Sequence, residues 1–306
     1  MHTFSIAIHG GAGTILKSEI TPELEEAYHT GLKEALHAGY TVLEKKGSAL
    51  EAVKAAVIKL EDNVLFNAGK GSVFTKKGKH EMDASIMDGK TLDAGAVASV
   101  KNIRNPVLLA EAVMKCSNHV LLSGEGAMDF AKEQKITTEP DDYFYSQFRY
   151  KQWQQLQSGD AVALDHSAQA QLGSSNKMGT VGAVACDKYG NVAAATSTGG
   201  MTNKNYGRIG DTPIIGAGTY ADNKTAAISC TGHGEPFIKA VAAFSVIGLM
   251  EVMKEIVHQK LIKFDGEGGM IGVDAQGNVA MQFNSEGMYR AMKSSAGNEE
   301  IKIYKD

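Results

Sequence analysis

The chain has 306 residues, of which 43% are hydrophobic and 22% charged, and its formal net charge is −4. These values are typical of a globular protein of one large domain or two ordinary ones. The mild acidity and the lack of a basic stripe argue against nucleic acid as a partner. The longest apolar run, residues 240–250, is too short to span a bilayer, so no membrane association is expected.

The cysteines and the N-terminal residues indicate the cellular compartment of the protein. Cys116, Cys186 and Cys230 form no C-x-x-C pattern, so neither a disulfide framework nor a zinc site is indicated. The N-terminal residues lack the basic region and the long apolar stretch of a secretory signal. We therefore expect a cytoplasmic protein with reduced thiols.

Capping residues mark two helix starts after a short buried strand at residues 4–8. Thr21 and Pro22 predict the first start, with Thr as the N-cap, and Ser48 with Glu51 predicts the second through a capping box. The elements predicted next are short strands and turns from residue 73 to residue 100, then helices over residues 106–115 and 125–132.

A polar stretch precedes the central hairpin. Residues 138–177 are rich in Gln, Ser and Asp, with apolar residues out of period, which predicts a poorly ordered connector, at least from about residue 159. Small apolar runs then flank a Lys-Tyr-Gly turn within residues 178–200, the pattern of a β-hairpin. If Asp187 faces Asn191, the numbers of paired residues add to 378 and Thr180 lies opposite Thr198. A purely structural cross-strand threonine pair would have the same spacing.

The C-terminal part predicts a strand over residues 226–230, a long helix from Pro236 to about Gln259, and a last hairpin whose turn at 274–280 repeats the chemistry of the central one. Hairpins in both halves, with helices kept apart from them, predict an α+β fold. We expect a four-layer αββα arrangement of two antiparallel sheets covered by helices.

Several glycine-rich segments could bind an anion. Residues 9–13 (HGGAG) and 67–72 (NAGKGS) match neither a P-loop nor a dinucleotide fingerprint, so tight turns are favoured over nucleotide binding. Residues 231–236 (TGHGEP) place glycine N–H groups and a hydroxyl before a helix, which suits either an oxyanion site or ordinary capping.

Two further features could act on an amino-acid substrate. Arg208 and Asp211 could pair with each other, or could bind the carboxylate and the ammonium of a free amino acid. Thr180 is a poor nucleophile within a chain, but at a chain start its own α-amine, with a reference pKa of about 7.7–8.0, can take the hydroxyl proton. The connector ending at Gly179 is where a cut could create that start.

Taken together, four segments in order resemble the plant-type L-asparaginase/isoaspartyl peptidase family of N-terminal-nucleophile hydrolases. They are residues 179–184 (GTVGAV), 196–200 (TSTGG), 207–211 (GRIGD) and 231–235 (TGHGE). The resemblance implies a single αββα domain over residues 1–306, made as an inactive precursor. Self-cleavage between Gly179 and Thr180 would give an α subunit, 1–179, with a flexible linker at about 159–179, and a β subunit, 180–306. Two such heterodimers would associate.

The resemblance also implies the role of each site residue. Thr180 would be the nucleophile, supported by Thr198, with Thr231 Oγ and the Gly232 N–H as the oxyanion hole. The substrate would be held by Arg208 at its α-carboxylate and Asp211 at its α-amine, with Gly234 lining the pocket and Asn67 close to the nucleophile. The substrates would be L-asparagine and β-aspartyl dipeptides, from which L-aspartate is released without a catalytic cofactor.

A structural sodium ion is implied as well, bound by backbone carbonyls of Leu60, Glu61, Asn63, Phe66, Ala68 and Lys70. Two positions depart from the family pattern: residues 251–264 are about one helix short, and His233 occupies a variable position after Gly232. The first would affect packing, and the second leaves the preference among amides open.

Two alternatives accompany this interpretation. A glycosylasparaginase-type amidase belongs to the same superfamily, although such enzymes are usually secretory or lysosomal. A non-hydrolytic protein that binds a small molecule or phosphate through its glycine loops is a different class.

Overall fold

The computed structural model describes residues 3–157 except 14 and 16, residues 179–246 and residues 249–305. The α-helices of these ranges are α1 Pro22–Glu44, α2 Ala49–Glu61, α3 Pro106–Cys116, α4 Gly124–Glu133, α5 Asp141–Phe144, α6 Gln147–Leu156, α7 Gly234–Ala240 and α8 Leu249–Glu255. The strands are β1 Ser5–Gly13, β2 Met82–Asp88, β3 Ala94–Val100, β4 Leu121–Ser123, β5 Val181–Cys186, β6 Val192–Thr198, β7 Thr219–Ala221, β8 Ala226–Gly232, β9 Gly268–Asp274, β10 Val279–Phe283, β11 Gly287–Ser294 and β12 Glu299–Tyr304.

The strands form two sheets in a mixed α+β architecture. The larger has the order β12-β11-β1-β5-β6-β2-β3-β4, and the smaller has the order β10-β9-β8-β7. Paired neighbours run antiparallel, except that β3 and β4 are parallel. The prediction of purely antiparallel sheets is wrong at this edge, because α3 carries the chain back to the same end of the sheet before β4 begins.

Apolar side chains gather in three buried clusters. One lies between the large sheet and helices α1 to α4 and includes Leu32, Val53 and Ile86. A second contains residues of both sheets, among them Val184 and Ile271. The third contains residues of the small sheet, α7 and α8, among them Ile228, Phe237 and Met253. Each sheet therefore contributes to two clusters.

Strand β5 shows how the sequence produces this arrangement. Val181, Ala183 and Ala185 belong to the cluster beneath the helices, whereas Val184 and Cys186 belong to the cluster between the sheets. Side chains alternate between the faces of a strand, so a continuous run of small apolar residues fits a strand that is buried on both faces.

Both predicted helix starts are confirmed. The hydroxyl of Thr21 accepts from the Leu24 N–H at 3.3 Å, with Pro22 in the first turn of α1. Ser48 and Glu51 form a reciprocal capping box at α2. The α1–α2 helix pair packs over β1, β5 and β6, so these caps fix the layer above the central hairpin.

The central hairpin has the predicted register. Val181 pairs with Ser197 and Cys186 with Val192, so the numbers of paired residues add to 378. In its turn, Asp187 Oδ1 accepts from the N–H groups of Tyr189 and Asn191 at 2.8 and 3.0 Å. Asp274 accepts in the same way from Gln276 and Asn278, which confirms that the last hairpin repeats this turn.

The prediction of one long helix from Pro236 to Gln259 is wrong, because helix α7 breaks at Val241. This residue has φ of +47°, in the left-handed region. Beyond it, the N–H groups of Ala243 and Phe244 donate to the carbonyls of Ala217 and Gly216 rather than continuing the helix. Tertiary hydrogen bonds to the loop before β7 therefore replace helical ones. None of the helices in the described ranges has the length and apolarity that crossing a bilayer requires.

The prediction of a poorly ordered connector from residue 138 is wrong over residues 141–156, because this stretch contains α5 and α6. Phe144 is buried and its ring lies 5.9 Å from that of His80. Arg149 of α6 is also buried and donates to the Gly71 carbonyl at 3.0 Å. Most of the linker predicted at 159–179 lies outside the described residues.

The capping box gives a stability prediction. Replacement of Ser48 by Ala should lower the free energy of unfolding by about 1 kcal/mol, because an N–H in the first turn of α2 loses its acceptor. Urea unfolding monitored by circular dichroism measures the change. Ser18→Ala, at an exposed serine, is the control. Equal stability of the Ser48 and Ser18 variants would contradict the prediction.

Candidate active site

A small cleft opens at the end of the β5–β6 hairpin, with an empty volume of about 300 Å³. It is lined by Gly179, Thr180, Thr198, Gly200, Met201, Arg208, Gly210, Asp211, Thr212 and Gly232. Six of the residues predicted from sequence thus lie around one space: the two threonines, Gly179, Gly232, Arg208 and Asp211. They come from hairpin ends, from the loop after β6 and from the end of β8.

The two threonine hydroxyls meet as the hairpin register predicts. Thr180 Oγ1 donates to Thr198 Oγ1 at 3.1 Å, and both residues are buried. Thr198 Oγ1 also accepts from the Gly200 N–H at 2.9 Å. The Thr198 hydroxyl is therefore held by the turn that follows β6, and it fixes the direction of the Thr180 hydroxyl.

Thr231 and Gly232 end strand β8, and Gly232 lines the cleft together with the two threonines. Thr231 is fully buried, and its hydroxyl has no hydrogen-bond partner in the described part of the chain. Gly232 has φ of +141°, a conformation that favours glycine, and it borders the cleft. A buried hydroxyl without a partner costs about 1–3 kcal/mol, which a ligand atom at this position would recover.

Arg208 and Asp211 lie in the loop after β6, but they do not pair with each other as one interpretation of their spacing allowed. Arg208 Nε and Nη2 donate to the two carboxylate oxygens of Glu235, each at 2.9 Å. This bidentate pair holds the guanidinium at the cleft wall. The other three of the five guanidinium N–H groups are not used by the two bonds to Glu235.

The Asp211 carboxyl is buried, and among the described residues its Oδ2 has no hydrogen-bond partner. Burial raises the pKa of Asp211 to about 7, and the nearby Arg208 guanidinium partly offsets this rise. This buried carboxyl lines the cleft and has an oxygen without a hydrogen-bond partner, so it is suited to bind a cationic group. An ammonium ion would stabilise the ionised form of Asp211, which burial disfavours.

Asn67 contacts the cleft through a loop rather than directly. Its Nδ2 donates to the Gly200 carbonyl at 2.8 Å, and its Oδ1 accepts from the Val73 N–H at 3.1 Å. A side chain at Gly199 would collide with Asn67 Oδ1, so glycine is required there. Asn67 therefore ties residues 67–73 to the turn that holds Thr198.

Gly234 has a similar supporting position. A Cβ at this residue would lie 2.9 Å from the Asp211 nitrogen and 3.0 Å from Arg208 Nη2. The distance to the Asp211 nitrogen is shorter than real Cβ contacts, so Gly234 lets the first turn of α7 pack against the loop that carries Arg208 and Asp211. Its contribution is to the position of those two side chains.

A second glycine contact involves the segment before Thr180. Gly11 has φ of +117°, and a Cβ on it would lie 2.5 Å from the nitrogen of Gly179. The irregular part of β1 at Gly11 and the backbone at Gly179 are therefore packed closely, which is possible only without a side chain at Gly11. Gly179 itself borders the cleft.

The loop at residues 60–70 was predicted to bind a cation through its carbonyls. Gly69 and Gly71 pack against backbone oxygens of this loop: a Cβ at Gly69 would lie 2.5 Å from the Glu61 carbonyl oxygen, and one at Gly71 would overlap that of Phe66. Four of the six predicted carbonyl ligands, those of Leu60, Asn63, Phe66 and Ala68, accept hydrogen bonds from backbone N–H groups of the same loop. The described residues contain no cluster of three or more His, Cys, Asp and Glu side chains with metal-binding geometry.

Several residues at the cleft were not predicted from the sequence. They are Met201 and Thr212, which line the cleft, Glu235, which pairs with Arg208, and His9. His9 Nδ1 lies 3.0 Å from the Thr180 carbonyl oxygen. A histidine at the end of a buried strand was the signal available, since a fully buried imidazole needs partners.

Comparison with known proteins agrees with the geometry. The family model described as asparaginase matches residues 2–303. An isoaspartyl peptidase of Salmonella typhimurium is 49% identical, with both chains covered completely. The isoaspartyl peptidase of Escherichia coli is 48% identical over 98% of this chain and 96% of its own. A plant-type L-asparaginase of Pyrococcus abyssi is 45% identical over 96% and 98%.

These matches extend over nearly the whole sequence, including the hairpin, the loop after β6 and the end of β8. The chain belongs to the asparaginase family of hydrolases.

The buried Asp211 carboxyl gives a pH-dependent prediction. Because its pKa is raised to about 7 in the folded state, its contribution to stability is present below its unfolded pKa of about 3.9 and is lost as pH rises through 7. Asp211→Asn should therefore become more stable relative to wild type as pH increases from 5 to 8.

Melting temperatures measured at several pH values check this. Asp129→Asn, at an exposed aspartate of α4, serves as the control. A constant difference between wild type and Asp211→Asn across that range would show that the carboxyl is not buried as described.

Proposed function

We propose that this protein is a threonine hydrolase that cleaves its own chain and then releases L-aspartate from β-aspartyl dipeptides and L-asparagine. The observation that carries the proposal is the pair of Thr180 and Thr198 hydroxyls, 3.1 Å apart, in a cleft that also contains Arg208 and Asp211. Relatives that match the chain from end to end carry the names isoaspartyl peptidase and plant-type L-asparaginase.

Maturation starts with the Thr180 hydroxyl next to its own peptide bond. Oγ1 attacks the carbonyl carbon of Gly179, the C–N bond breaks, and Gly179 is left as an ester on Thr180. Water then hydrolyses the ester, giving a carboxylate at Gly179 and a free amine at Thr180. The glycine contacts around residues 11 and 179 support this step, because they let the backbone approach closely.

The free amine supplies the base that a threonine within a chain lacks. Its reference pKa of about 7.7–8.0 lets it take the Thr180 hydroxyl proton near neutral pH. Oγ1 then attacks the side-chain carbonyl of the substrate, and ammonia or an amino acid leaves with that proton. Water hydrolyses the aspartyl ester and releases L-aspartate, so the cycle needs no cofactor.

The oxyanion of each tetrahedral intermediate requires donors that are not already used. The Thr231 hydroxyl, which lacks a protein partner in the described ranges, and the N–H of Gly232 beside the cleft are suited to this role. Thr198 supports the attacking hydroxyl throughout, since its own oxygen is fixed by the Gly200 N–H.

Substrate recognition follows from the two charged groups. Arg208 would bind the α-carboxylate through the N–H groups that Glu235 does not use, and Asp211 would bind the α-ammonium. Gly234 and Asn67 assist by packing, the first against the Arg208–Asp211 loop and the second against the Thr198 turn. The reacting side-chain carbonyl is thereby directed toward Thr180.

The proposed architecture is a single domain in a four-layer αββα order. Three apolar clusters that alternate with two sheets support it. In the mature protein residues 1–179 would be the α subunit, ending in a linker at about 159–179, and residues 180–306 the β subunit. Two heterodimers would associate, as the family resemblance implies. Cys116, Cys186 and Cys230 are free thiols, which supports a reducing compartment such as the cytoplasm.

A structural sodium ion in the loop at residues 60–70 forms part of the proposal. Its ligands would be the carbonyls of Leu60, Glu61, Asn63, Phe66, Ala68 and Lys70, as the family resemblance implies. The ion would stiffen the loop that carries Asn67. It takes no part in the reaction.

Replacement of Thr180 tests the proposal directly. Thr180→Ala should remain one uncut chain and should lose about 10³-fold or more of the activity on β-aspartyl-leucine, because both the nucleophile and its amine disappear. Denaturing gels and N-terminal sequencing should show wild type cut to a fragment that starts at Thr180.

Thr180→Ser, which keeps a hydroxyl, is the matched control and should still cut and turn over. A wild-type protein that stays uncut and yet hydrolyses the dipeptide fully would refute the mechanism. Parallel assays on a glycosylated asparagine and on phosphate binding address the amidase and the non-hydrolytic alternatives.

Arg208 gives a second functional prediction. Arg208→Ala should raise KM about 10- to 100-fold, since a hydrogen bond to a charged group contributes about 1.5–3 kcal/mol. Glu235→Gln removes the carboxylate partner but keeps the guanidinium, so it shows the effect on KM of losing the ion pair alone. Arg104→Ala, whose ion pairs are with Asp62 and Glu139, is the control. Unchanged KM in Arg208→Ala would exclude it from substrate binding.

A further inference from the structure

A buried lysine lies behind the turn that follows β6. Lys204 is only 2% exposed, and its Nζ donates to the backbone carbonyl of Glu81 at 2.7 Å. Glu81 comes directly before β2, the strand next to β6, so this bond ties the end of the turn to the start of β2. An ammonium group is rarely buried in a folded protein unless another group compensates its charge.

Asp83 supplies the opposite charge. Its carboxyl is fully buried, Oδ1 accepts from the N–H of Ser99 at 2.8 Å, and Oδ2 has no hydrogen-bond partner among the described residues. Burial lowers the pKa of Lys204 and raises that of Asp83, and in each case the other residue offsets the shift most strongly. Each group therefore favours the ionised form of the other, and neither is well accommodated alone.

The register of the large sheet places Asp83 beside the candidate site. Asp83 pairs with Thr198 across β2 and β6. Residues directly opposite each other in an antiparallel pair have their side chains on the same face, with Cβ atoms about 4.5–5.5 Å apart. The Asp83 carboxyl is thus on the face of the sheet on which the Thr198 hydroxyl meets that of Thr180.

The Lys204 side chain also runs against Gly200. A Cβ at Gly200 would lie 2.9 Å from Nζ and 3.1 Å from Cδ of Lys204, and φ of Gly200 is +79°. Glycine is therefore favoured where the turn closes over the lysine. The Gly200 N–H donates to Thr198 Oγ1 at 2.9 Å. The position of the lysine is thereby coupled to that of the donor that holds Thr198.

Backbone hydrogen bonds fix both ends of this turn. The Lys204 N–H donates to the Met201 carbonyl at 3.2 Å, and the Lys204 carbonyl accepts from the Lys76 N–H at 2.9 Å. Gly200 and Met201 line the cleft, whereas Lys204 borders an outer cavity of about 960 Å³ that shares Met201 and Arg208 with the cleft. Without its opposite charge, the ammonium would be drawn toward this outer cavity, where water can solvate it.

We propose that Asp83 and Lys204 are positioning residues for Thr198. The carboxylate keeps the ammonium buried, and the ammonium holds the turn whose Gly200 N–H fixes the Thr198 hydroxyl. Thr198 in turn directs the hydroxyl of Thr180, so the inference rests on the role proposed for Thr180. Neither Asp83 nor Lys204 belongs to the described residues that line the cleft, so both act through the turn rather than on the substrate.

Removal of the ammonium tests this role in processed enzyme. Lys204→Met keeps most of the side-chain length but cannot bind the Glu81 carbonyl. It should lower kcat on β-aspartyl-leucine about 10-fold or more, because small displacements of reacting groups have large effects on rate. KM should change less, since Arg208 keeps its bonds to Glu235. Lys79→Met, which removes an exposed, ion-paired lysine, is the matched control and should leave kcat unchanged.

Combined substitutions show whether the loss passes through Thr198. In a Thr198→Ala background, Lys204→Met should lower kcat less than about 2-fold, because the hydroxyl that the lysine positions is already absent. A loss caused by general destabilisation would be the same in both backgrounds. Asp83→Asn should also lower kcat, and adding it to Lys204→Met should cost less than about 2-fold more, since the carboxylate acts through the ammonium.

Amide hydrogen exchange gives a readout that does not depend on cleavage or turnover. In the uncut Thr180→Ala chain labelled with ¹⁵N-glycine, the Gly200 N–H should exchange about 10-fold faster once Lys204→Met is added, because its hydrogen bond opens more often. The Gly190 N–H donates to the Asp187 carbonyl at the turn of the β5–β6 hairpin. Its exchange reports any general loss of stability and should not change.

Three results would overturn the positioning role of the lysine. They are an unchanged kcat in Lys204→Met, an equal loss of kcat in the Thr198→Ala background, and no acceleration of exchange specific to Gly200. If Lys204→Met is cut too slowly to assay, the exchange measurement decides alone. Wild-type protein that is neither cut before Thr180 nor active would instead refute the proposed function, and the exchange result would still show whether the lysine holds the turn.

Discussion

The register of the β5–β6 hairpin is the constraint on which the site depends. Pairing of Val181 with Ser197 brings the Thr180 and Thr198 hydroxyls to 3.1 Å. A slip of one residue would turn every side chain of one strand to the opposite face and separate the hydroxyls. The turn at Asp187 sets this register, since Asp187 Oδ1 accepts from the N–H groups of Tyr189 and Asn191. The apolar residues of β5 then pack into the core on both faces of the strand.

The cleft contrasts with that well-packed core, because it gathers buried polar atoms without protein partners. Asp211 Oδ2 and Thr212 Oγ1 are examples among the described residues that line the cleft, and Thr231 Oγ1 belongs to the residue before the lining Gly232. Each costs about 1–3 kcal/mol in the folded protein. The same atoms are oriented in advance and shielded from water, which strengthens any interaction they make with a bound charge.

Sequence reasoning succeeded where short-range rules determine the outcome. Capping at Thr21 and Ser48 and the Asp187 turn each involve residues within four positions of one another, so they can be recognised in a single chain. It failed at Val241, where the helix ends because Ala243 and Phe244 bond to residues more than 20 positions earlier. The helices α5 and α6 were missed because a polar sequence is held by a few buried anchors, Phe144 and Arg149.

The candidate site divides in the same way. Its threonines, Arg208 and Asp211 were predicted, the threonine pair from hairpin spacing and the other roles from family resemblance. The pairing of Arg208 with Glu235, the burial of Asp211 and the contacts of His9 were not, because each depends on side chains from different strands and loops meeting in space. Carbonyl ligands such as those proposed for residues 60–70 have no side-chain signature at all.

The contact between Gly179 and Gly11 has a kinetic consequence. Gly179 borders the same cleft as Thr180. Under the proposed mechanism, the uncut chain places its own backbone where a substrate carbonyl would react, and the attacking and attacked groups belong to one molecule. Activation would then follow first-order kinetics, with a half-time independent of protein concentration, and dilution or a foreign protease would leave that half-time unaltered.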